Sequence, residues 1–318
     1  MSVLGTAGAA PRRDARYEAV RARLNLHAVL PGLEDVVAGD AEMAALVAGT
    51  DLTVHFKVAG GPAAAVRFAG GRCRVWPLGA EAGDGGEAAV CGAGSGAEAD
   101  RGAGNGAARD GESSDRGGRH RDGEDRADGR GGGGTVTLWF TSSAHLNRMF
   151  DGSGTPIPLR GFGKLGFMQK EFTQLSDRLA HYLKPTPELL VDPDYLAMNT
   201  RLMLTTAAFA VPILLEHDPP AAGFRRVFDG GSIALTVLPD GPSVGLVLGP
   251  QRIVAVKGEI DSPTALIRMR DVHIASAFLN GTLDTFAAVA CGDVEISGQL
   301  PKVDALGLVL ERVPIYLS

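Results

Sequence analysis

The chain has 318 residues, and its composition excludes several classes of protein. Hydrophobic residues make up 45% and charged residues 21%, so most of the sequence can bury a core, and the length fits two domains of ordinary size. The net charge is −6 but unevenly placed: residues 80–134 hold 12 Asp/Glu against 7 Arg, and the other 263 residues hold 25 acids against 24 Lys/Arg. This nearly neutral remainder argues against a nucleic-acid-binding surface.

Cysteine spacing and the apolar segments indicate the cellular setting. Cys73, Cys91 and Cys291 lie far apart with no CxxC or CxxH spacing, which argues against a zinc site or a disulfide framework and favours a reducing cytoplasm. The N-terminus has no apolar core segment, so no export signal is predicted. The longest apolar run, residues 202–215, falls short of the ~20 residues of a spanning helix and predicts a buried helix instead.

The predicted elements begin after a disordered tail at residues 1–13. A helical region at 26–37 precedes a strand, Leu52–Val58, in which apolar and polar side chains alternate. Residues 80–134 are rich in Gly and charge, with no large apolar side chain between Cys91 and Gly134. They predict a disordered insert, either an interaction arm or a solvated loop without a role.

Alternation resumes after the insert in Val136–Phe140. Ser142 stands at the N-cap of a following helix, and Gly152 stands where a left-handed residue would close it. Leu165 and Phe167 are predicted to lie on a fifth strand. The first copy then ends in a helix whose apolar residues recur on one face: Phe172, Leu175, Leu179 and Tyr182.

The same order of elements repeats further along the chain. Thr135–Gly152 lies without a gap over Thr264–Gly281, at an offset of 129, and Gly61–Pro62 lies over Gly241–Pro242, at an offset of 180. The two offsets differ by 51, which corresponds to an insertion of 51 residues in the first copy, inside the predicted disordered stretch. The apolar alternation also predicts that the turn before Gly61–Pro62 is one residue longer in the first copy.

The second copy has the matching elements. Its opening helix covers 202–216, Ile233–Val237 alternates as a strand, and Asp271 and Gly281 stand at the start and end of a helix. Gly163 and Gly292 align at the predicted fifth strand. The closing helix repeats the one-sided apolar pattern: Val303, Leu306, Leu310 and Val313.

The fold class predicted from this repeat is α+β, with two tandem two-layer domains, each a five-stranded, mostly antiparallel sheet covered by helices. The first domain covers 14–183 and contains the insert, and the second covers 196–318. A proline-containing linker at 184–195 joins them. Tandem copies of one unit predict an internal pseudo-dimer.

Residues 265–298, ALIRMRDVHIASAFLNGTLDTFAAVACGDVEISG, resemble the sterol carrier protein type two (SCP2-like) family. That family shows a strand, an acidic helix start, an aromatic-bearing helix, a Gly, a short helix and a Gly-led strand. Asp271, Phe278 and Gly281 take the corresponding places here. The first copy is a poorer match, because Pro156 and Pro158 interrupt the short helix.

The resemblance implies a non-enzymatic module that binds or transfers a lipid, sterol or acyl chain in an apolar tunnel, without a cofactor. Apolar residues on the elements that would wall such a tunnel are the candidate ligand-binding residues. An ordinary filled core would show the same stripes. In the second copy they are Phe278, Leu283, Phe286, Val289, Leu306 and Leu310, and in the first copy Met149, Phe150, Phe167, Phe172 and Leu175.

Catalytic motifs are weak in this sequence. Residues 161–166 match GxGxxG, but the predicted strand at Leu165 and Phe167 does not suit a dinucleotide site. Cys291 is predicted to be a small buried residue at the start of the fifth strand. No metal site is predicted, and no catalytic residue is assigned.

Three functions remain open. The first is a non-enzymatic carrier that binds an apolar ligand and touches a membrane surface only transiently. The second is an interaction module with filled cores that assists a lipid- or quinone-modifying assembly. The third is an acyl-chain hydrolase in which His273, paired with Asp271, would act as a base.

Overall fold

Two five-stranded sheets, each covered by helices, organise the described part of the chain. The computed structural model describes residues 14–79 and 133–317, which form one compact unit. The predicted tail at 1–13 and residues 80–132 of the predicted insert lie outside the described residues. The predicted α+β class with two five-stranded sheets is confirmed.

The first half runs from a helical layer into the first sheet. Its elements in chain order are α1 (Ala15–Leu24), a π-helical turn (Asn25–Val29), α2 (Gly32–Gly39), α3 (Ala41–Val47), β1 (Leu52–Val58), β2 (Ala63–Ala69), β3 (Arg72–Pro77), β4 (Gly134–Phe140), α4 (Ser143–Phe150), β5 (Ile157–Arg160), a 3-10 turn (Phe162–Lys164), α5 (Leu165–Gln169) and α6 (Glu171–Leu183).

The second half begins after a 3-10 turn (Leu189–Val191) and repeats the order. Its elements are α7 (Pro193–His217), α8 (Pro219–Ala222), β6 (Ser232–Val237), β7 (Ser243–Leu248), β8 (Ile253–Lys257), β9 (Ala265–Met269), α9 (Val272–Leu279), α10 (Thr285–Cys291), β10 (Val294–Gly298), α11 (Leu300–Leu310) and α12 (Val313–Leu317).

The two sheets have one strand order. It is β3-β2-β1-β4-β5 in the first and β8-β7-β6-β9-β10 in the second, and only the pairs β1–β4 and β6–β9 are parallel. Val58 pairs with Phe140 and Val237 with Met269, so the offset of 129 aligns equivalent residues in β4 and β9. The predicted caps are confirmed, because Ser142 and Asp271 accept first-turn N–H groups of α4 and α9.

The turn between the first two strands corrects one prediction. The N–H of Val58 donates to the Pro62 carbonyl, and that of Val237 to the Pro242 carbonyl. The turn is therefore one residue longer in the second copy, not in the first. The predicted and observed alignments of β1 with β6 differ by two residues. A shift of two residues leaves the same side chains on the buried face, so alternation alone could not decide between the two alignments.

The fifth strand of the first half is also displaced from its predicted place. β5 is Ile157–Arg160, whereas Leu165 and Phe167 lie in α5. The predicted alignment of Gly163 with Gly292 is therefore wrong, because Gly163 follows β5 whereas Gly292 precedes β10. Gly161 and Gly298 are the equivalent pair: both have φ of +83°, and a Cβ on either would collide with the Thr135 or Thr264 carbonyl. Pro158 is tolerated because β5 is an edge strand.

Gly298→Ala should lower the free energy of unfolding by about 2–4 kcal/mol, because alanine adds strain at positive φ and overlaps the Thr264 carbonyl. Gly281→Ala is the matched control, since Gly281 also has a positive φ of +67° but faces open space. The control should lose only about 1 kcal/mol. Urea unfolding followed by circular dichroism measures both values, and equal losses would contradict the collision.

The helices of the two halves are shared between two hydrophobic cores. Val20, Leu24 and Ala28 of the first half pack in the core beneath the second sheet. Conversely, Met198 and Leu202, early in α7, pack beneath the first sheet. Each half therefore completes the other's core, and the predicted domain boundaries at 14–183 and 196–318 stay a prediction.

Helix α2 also joins the exposed edges of the two sheets. Glu34 accepts a hydrogen bond from the Val75 N–H on edge strand β3, at 2.7 Å. The Lys257 Nζ on edge strand β8 lies 2.9 Å from the same Glu34 carboxylate and 2.8 Å from Asp35. Helix α2 thereby accepts one backbone N–H group from β3 and pairs with one side-chain cation of β8.

Helix α7 is longer than the predicted run at 202–215. It begins at Pro193, inside the predicted linker, where the Asp192 side chain accepts the N–H groups of Asp194 and Tyr195. Among the described residues, α7 alone is long and apolar enough to cross a membrane, with 67% of its apolar window buried inside the protein. Helix α7 contributes side chains to both cores.

Candidate functional site

The core of the first half is filled by phenylalanine rings. Phe172 lies 5.8 Å from Phe56 and 6.4 Å from Phe68, measured between ring centroids, and Phe56 lies 6.4 Å from Phe140. Phe167 packs 5.4 Å from Phe68. Rings at these distances stabilise one another beyond the area they bury. These rings pack against one another in the core where the tunnel of the first half is predicted, and the tunnel itself stays a prediction.

The remaining first-half candidates belong to the same filled core. Leu175 is fully buried, and Met149 and Phe150 are half-buried against the cluster. Each therefore has a packing role in the first half.

The equivalent positions of the second half hold aliphatic side chains. Strand register and the repeat of the closing helices pair four phenylalanines with smaller residues. Three other core positions of the second half carry larger side chains and offset part of this loss of volume. They are Ile233, Val244 and Leu246, which take the places of Val54, Ala64 and Val66. The four pairs are Phe56 and Leu235, Phe68 and Leu248, Phe140 and Met269, and Phe172 and Val303.

The candidates in the second half are less completely packed. Leu306 is buried, whereas Phe278, Leu283 and Leu310 are half-buried at the margin of the core. Phe286 is 86% exposed and Val289 is 42% exposed, so these two do not wall an enclosed cavity in this structure. Whether any of the candidates binds a ligand stays a prediction.

Helix α10 follows Leu283 in the chain, packs against β10 and has no equivalent in the first half. It lies between Gly281 and Gly298, where the first half has only a short segment between Gly152 and Gly161. Ala288 is its only buried residue. The Asp284 side chain accepts the Ala287 N–H at 3.1 Å and starts the helix. A helix that buries so little apolar surface can open at low cost.

Two open clefts lie in the second half, one at the start of α11 and one against α9. One, of about 420 Å³, is lined by Val227 and by residues 298–302 at the start of α11. The other, of about 380 Å³, lies between segment 185–190 and helix α9, with His273 and Asn280 among its lining residues. None of the predicted ligand-binding residues lines either cleft. Sequence reasoning missed these residues because the segments that meet there are distant in the chain.

His273 and Asp271 do not form the predicted pair. The Asp271 carboxylate accepts the Ile274 N–H at 2.9 Å and lies 3.2 Å from the Arg270 Nε. The hydrogen bond from Ile274, followed by the contact with Arg270, lowers the pKa of Asp271. Because this carboxylate is already used as a helix cap, it does not orient the exposed His273 for base catalysis.

The GxGxxG motif takes a different form from the one predicted. A strand, β5, does precede Gly161, and α5 follows within the motif. However, β5 is an edge strand antiparallel to β4, whereas the dinucleotide fingerprint needs a parallel β-α-β unit. Gly161 instead permits the close approach of the chain to Thr135.

The two described cysteines differ in burial, and neither belongs to a group of potential metal ligands within the described residues. Cys291 is exposed at the end of α10, so its predicted burial at the start of a strand was wrong: Gly292 follows, and β10 begins at Val294. Cys73 is half-buried, and burial raises the pKa of its thiol. Within 14–79 and 133–317, no three His, Cys, Asp or Glu side chains are grouped to hold a metal ion.

A buried charge cluster lies at the end of α7. Asp218 is 1% exposed and accepts hydrogen bonds from Arg312, at 2.8 and 3.2 Å, and from the Tyr316 hydroxyl, at 2.8 Å. Burial, followed by the hydrogen bond to Asp218, raises the pKa of Tyr316 to about 12. With every carboxylate oxygen partnered inside the protein, the cluster stabilises the fold and is not poised for catalysis.

Comparisons with known proteins return only distant likenesses. No family model and no curated protein matches the chain. A solved structure described as "UbiJ-SCP2 Ubiquinone synthesis protein" is 15% identical, with 34% of this chain and 96% of that chain covered and a TM-score of 0.27. A crystal structure of sterol carrier protein 2 is 24% identical, with coverages of 35% and 92% and a TM-score of 0.26.

An inverting sec-alkylsulfatase from Pseudomonas sp. is also similar. It is 11% identical, with 46% of this chain and 29% of that chain covered and a TM-score of 0.22. All three TM-scores lie below 0.5, so these likenesses establish neither the fold nor the function of this chain.

Proposed function

We propose that the second half binds an apolar small molecule, a lipid, sterol or acyl chain, beneath α10, and that the chain is a non-enzymatic carrier built from two tandem SCP2-like units. One observation carries the proposal. The first core is filled by packed phenylalanine rings, whereas in the second half Phe278, Leu283 and Leu310 are half-buried and helix α10 buries only Ala288. The first unit would then be a filled, structural copy.

The binding mechanism follows from this packing. Helix α10 would move outward, and an acyl chain would take the place of water against Phe278, Leu283 and Leu310. Each buried methylene contributes ~0.8 kcal/mol, so ten methylenes supply roughly 8 kcal/mol before the costs of immobilisation. Affinity would therefore need no charged partner, and the length of the opened channel would set the selectivity.

Displacement of a fluorescent fatty acid tests this proposal. Phe278→Ala should weaken binding of the probe about 10- to 100-fold, because burying a phenylalanine against ligand contributes roughly 1.5–3 kcal/mol. Met149→Ala is the matched control: Met149 occupies the equivalent position of the first half, is also half-buried, and should leave probe binding unchanged. Circular dichroism melts verify that both variants fold.

The wild-type protein provides the decisive result. Absence of probe binding, together with no lipid in the natively extracted protein by mass spectrometry, would rule out the carrier function. Equal loss of binding in both variants would place the ligand elsewhere.

A second candidate is an interaction module that assists a lipid- or quinone-modifying assembly. The filled first core favours this function for the first half, because densely packed rings leave no space for a guest. Co-purification of a partner by a protein that binds no probe would support it. The cytoplasmic setting and the internal pseudo-dimer also remain predictions.

A further inference from the structure

The strands of the first sheet place five cations on its outward face and contribute no carboxylate of their own. Alternation along the strands places Lys57 of β1, Arg67 of β2, and Arg72 and Arg74 of β3 on the side opposite the core, where Arg160 of β5 pairs with Thr137. None of the strands β1–β5 contains an Asp or a Glu. This face is therefore positive although the folded remainder of the chain is close to neutral.

The cations are arranged at a cost to the sheet. Arg67 lies directly opposite Arg74, and like charges at paired positions destabilise a sheet. Asp51 compensates Arg67 through an ion pair at 2.5 Å. Within the described ranges, Arg74 and Lys57 have no ion-pair partner. An anion bound across the face would relieve this repulsion.

Apolar side chains of the kind found at membrane interfaces stand among these cations. The chain has two tryptophans, and both lie on this face: Trp76 on β3, which is 37% exposed, and Trp139 on β4, which is half-buried beside Lys57. Ile157, paired with Trp139, is exposed, and Phe162 just beyond β5 is 65% exposed. Tryptophan prefers such an interface because its ring is apolar and its N–H is polar.

The second sheet shows that the fold does not require such a face. Its outward charges, Arg268 and Glu295, pair with each other across β9 and β10 at 3.3 Å. The side chain of Ile260, in the loop after β8, covers the outward face at Gly245. The positive, aromatic face thus belongs to the first half alone.

We propose that the outward face of the first sheet docks on an anionic phospholipid surface. Charge complementarity selects an anionic partner, and the aliphatic and aromatic side chains beside the cations favour a lipid surface over a nucleic acid. Basic and apolar side chains together bind the headgroup region, where each Lys or Arg contributes ~1 kcal/mol. The proposal does not depend on ligand binding by the second half, although docking would bring that half near a lipid store.

Intrinsic fluorescence of the full chain tests the docking, because both tryptophans lie on the face. Vesicles of phosphatidylcholine containing phosphatidylglycerol should shift the emission to the blue and protect it from iodide quenching. Pure phosphatidylcholine should do neither, and salt should weaken the binding. The double variant Lys57→Glu/Arg74→Glu should bind at least about 25-fold more weakly, since each lost cation removes ~1 kcal/mol, about fivefold.

A matched variant makes the same change in net charge on the second half. Arg226 and Arg252 are exposed there, and Arg226→Glu/Arg252→Glu should bind vesicles like the wild type. Equal losses in the two double variants, binding that ignores lipid charge, or an emission shift with single-stranded oligonucleotide but not with vesicles would each overturn the proposal. Phe278→Ala should leave vesicle binding intact, which separates failure of docking from failure of the carrier function.

Discussion

Replacing Asp218 by alanine should lower the free energy of unfolding by about 3–5 kcal/mol, the usual cost of breaking a buried ion pair. The variant leaves the Arg312 guanidinium and the Tyr316 hydroxyl without the partners they have at 2.8 Å. The loss should lie toward the lower end of this range, because the Arg312 side chain remains 28% exposed. Urea denaturation at neutral pH measures it.

The ion pair between Arg270 and Asp293 is the natural control for this variant. The Arg270 side chain is 59% exposed, and exposed ion pairs contribute little to stability because water screens them. Asp293→Ala should therefore cost far less than Asp218→Ala. Similar losses in the two variants would mean that burial of Asp218 does not set its contribution.

The strongest effect on the organisation of the molecule is expected from two leucines on one helical segment. Leu24 and Leu26 are both fully buried, but Leu24 packs in the second core and Leu26 in the first. Leu24→Ala and Leu26→Ala should each cost about 2–5 kcal/mol, the range for a buried leucine truncated to alanine. The two variants should destabilise different sheets, because each removes contacts from a different core.

Hydrogen exchange followed by mass spectrometry locates the damage. Leu24→Ala should speed amide exchange mainly in β6 and β9, and Leu26→Ala mainly in β1 and β4, because local opening follows the weakened core. Each leucine thus serves as the control for the other. Identical exchange patterns would show that the two cores open as one cooperative unit.

Much of the architecture could be read from local patterns. Alternation in β1 predicted its buried face, since Leu52, Val54 and Phe56 are all buried. The N-caps at Ser142 and Asp271 followed from side-chain chemistry. Such features depend on neighbouring residues alone, which is why a single sequence reveals them.

The errors arose where two sequence patterns fitted equally well. Sequence alignment matched Gly163 of the GxGxxG motif with Gly292, whereas the contact of Gly161 with Thr135 identifies Gly161 as the equivalent of Gly298. The strand with Pro158 was missed because proline disfavours a strand interior, although an edge position tolerates it. Both choices depend on a neighbouring strand that is distant in sequence.

The candidate site was predicted as a set of apolar stripes. Sequence could not separate Phe172, whose ring fills the first core, from Phe278, which stays half-buried in the second. The positive outward face was missed for a related reason. Whole-chain charge averages over all surfaces, whereas Lys57, Arg67 and Arg74 come together only when their strands pair.

The sequence by itself determined the repeated order of most strands and helices, the buried face of β1 and the caps of α4 and α9, because periodicity and capping are local properties. Tertiary structure alone decided that α1 and α7 cross between the cores, that rings fill only the first half, and that cations gather on one sheet. These outcomes depend on contacts between residues far apart in the chain, and no local pattern encodes which of two similar cores a buried side chain will join.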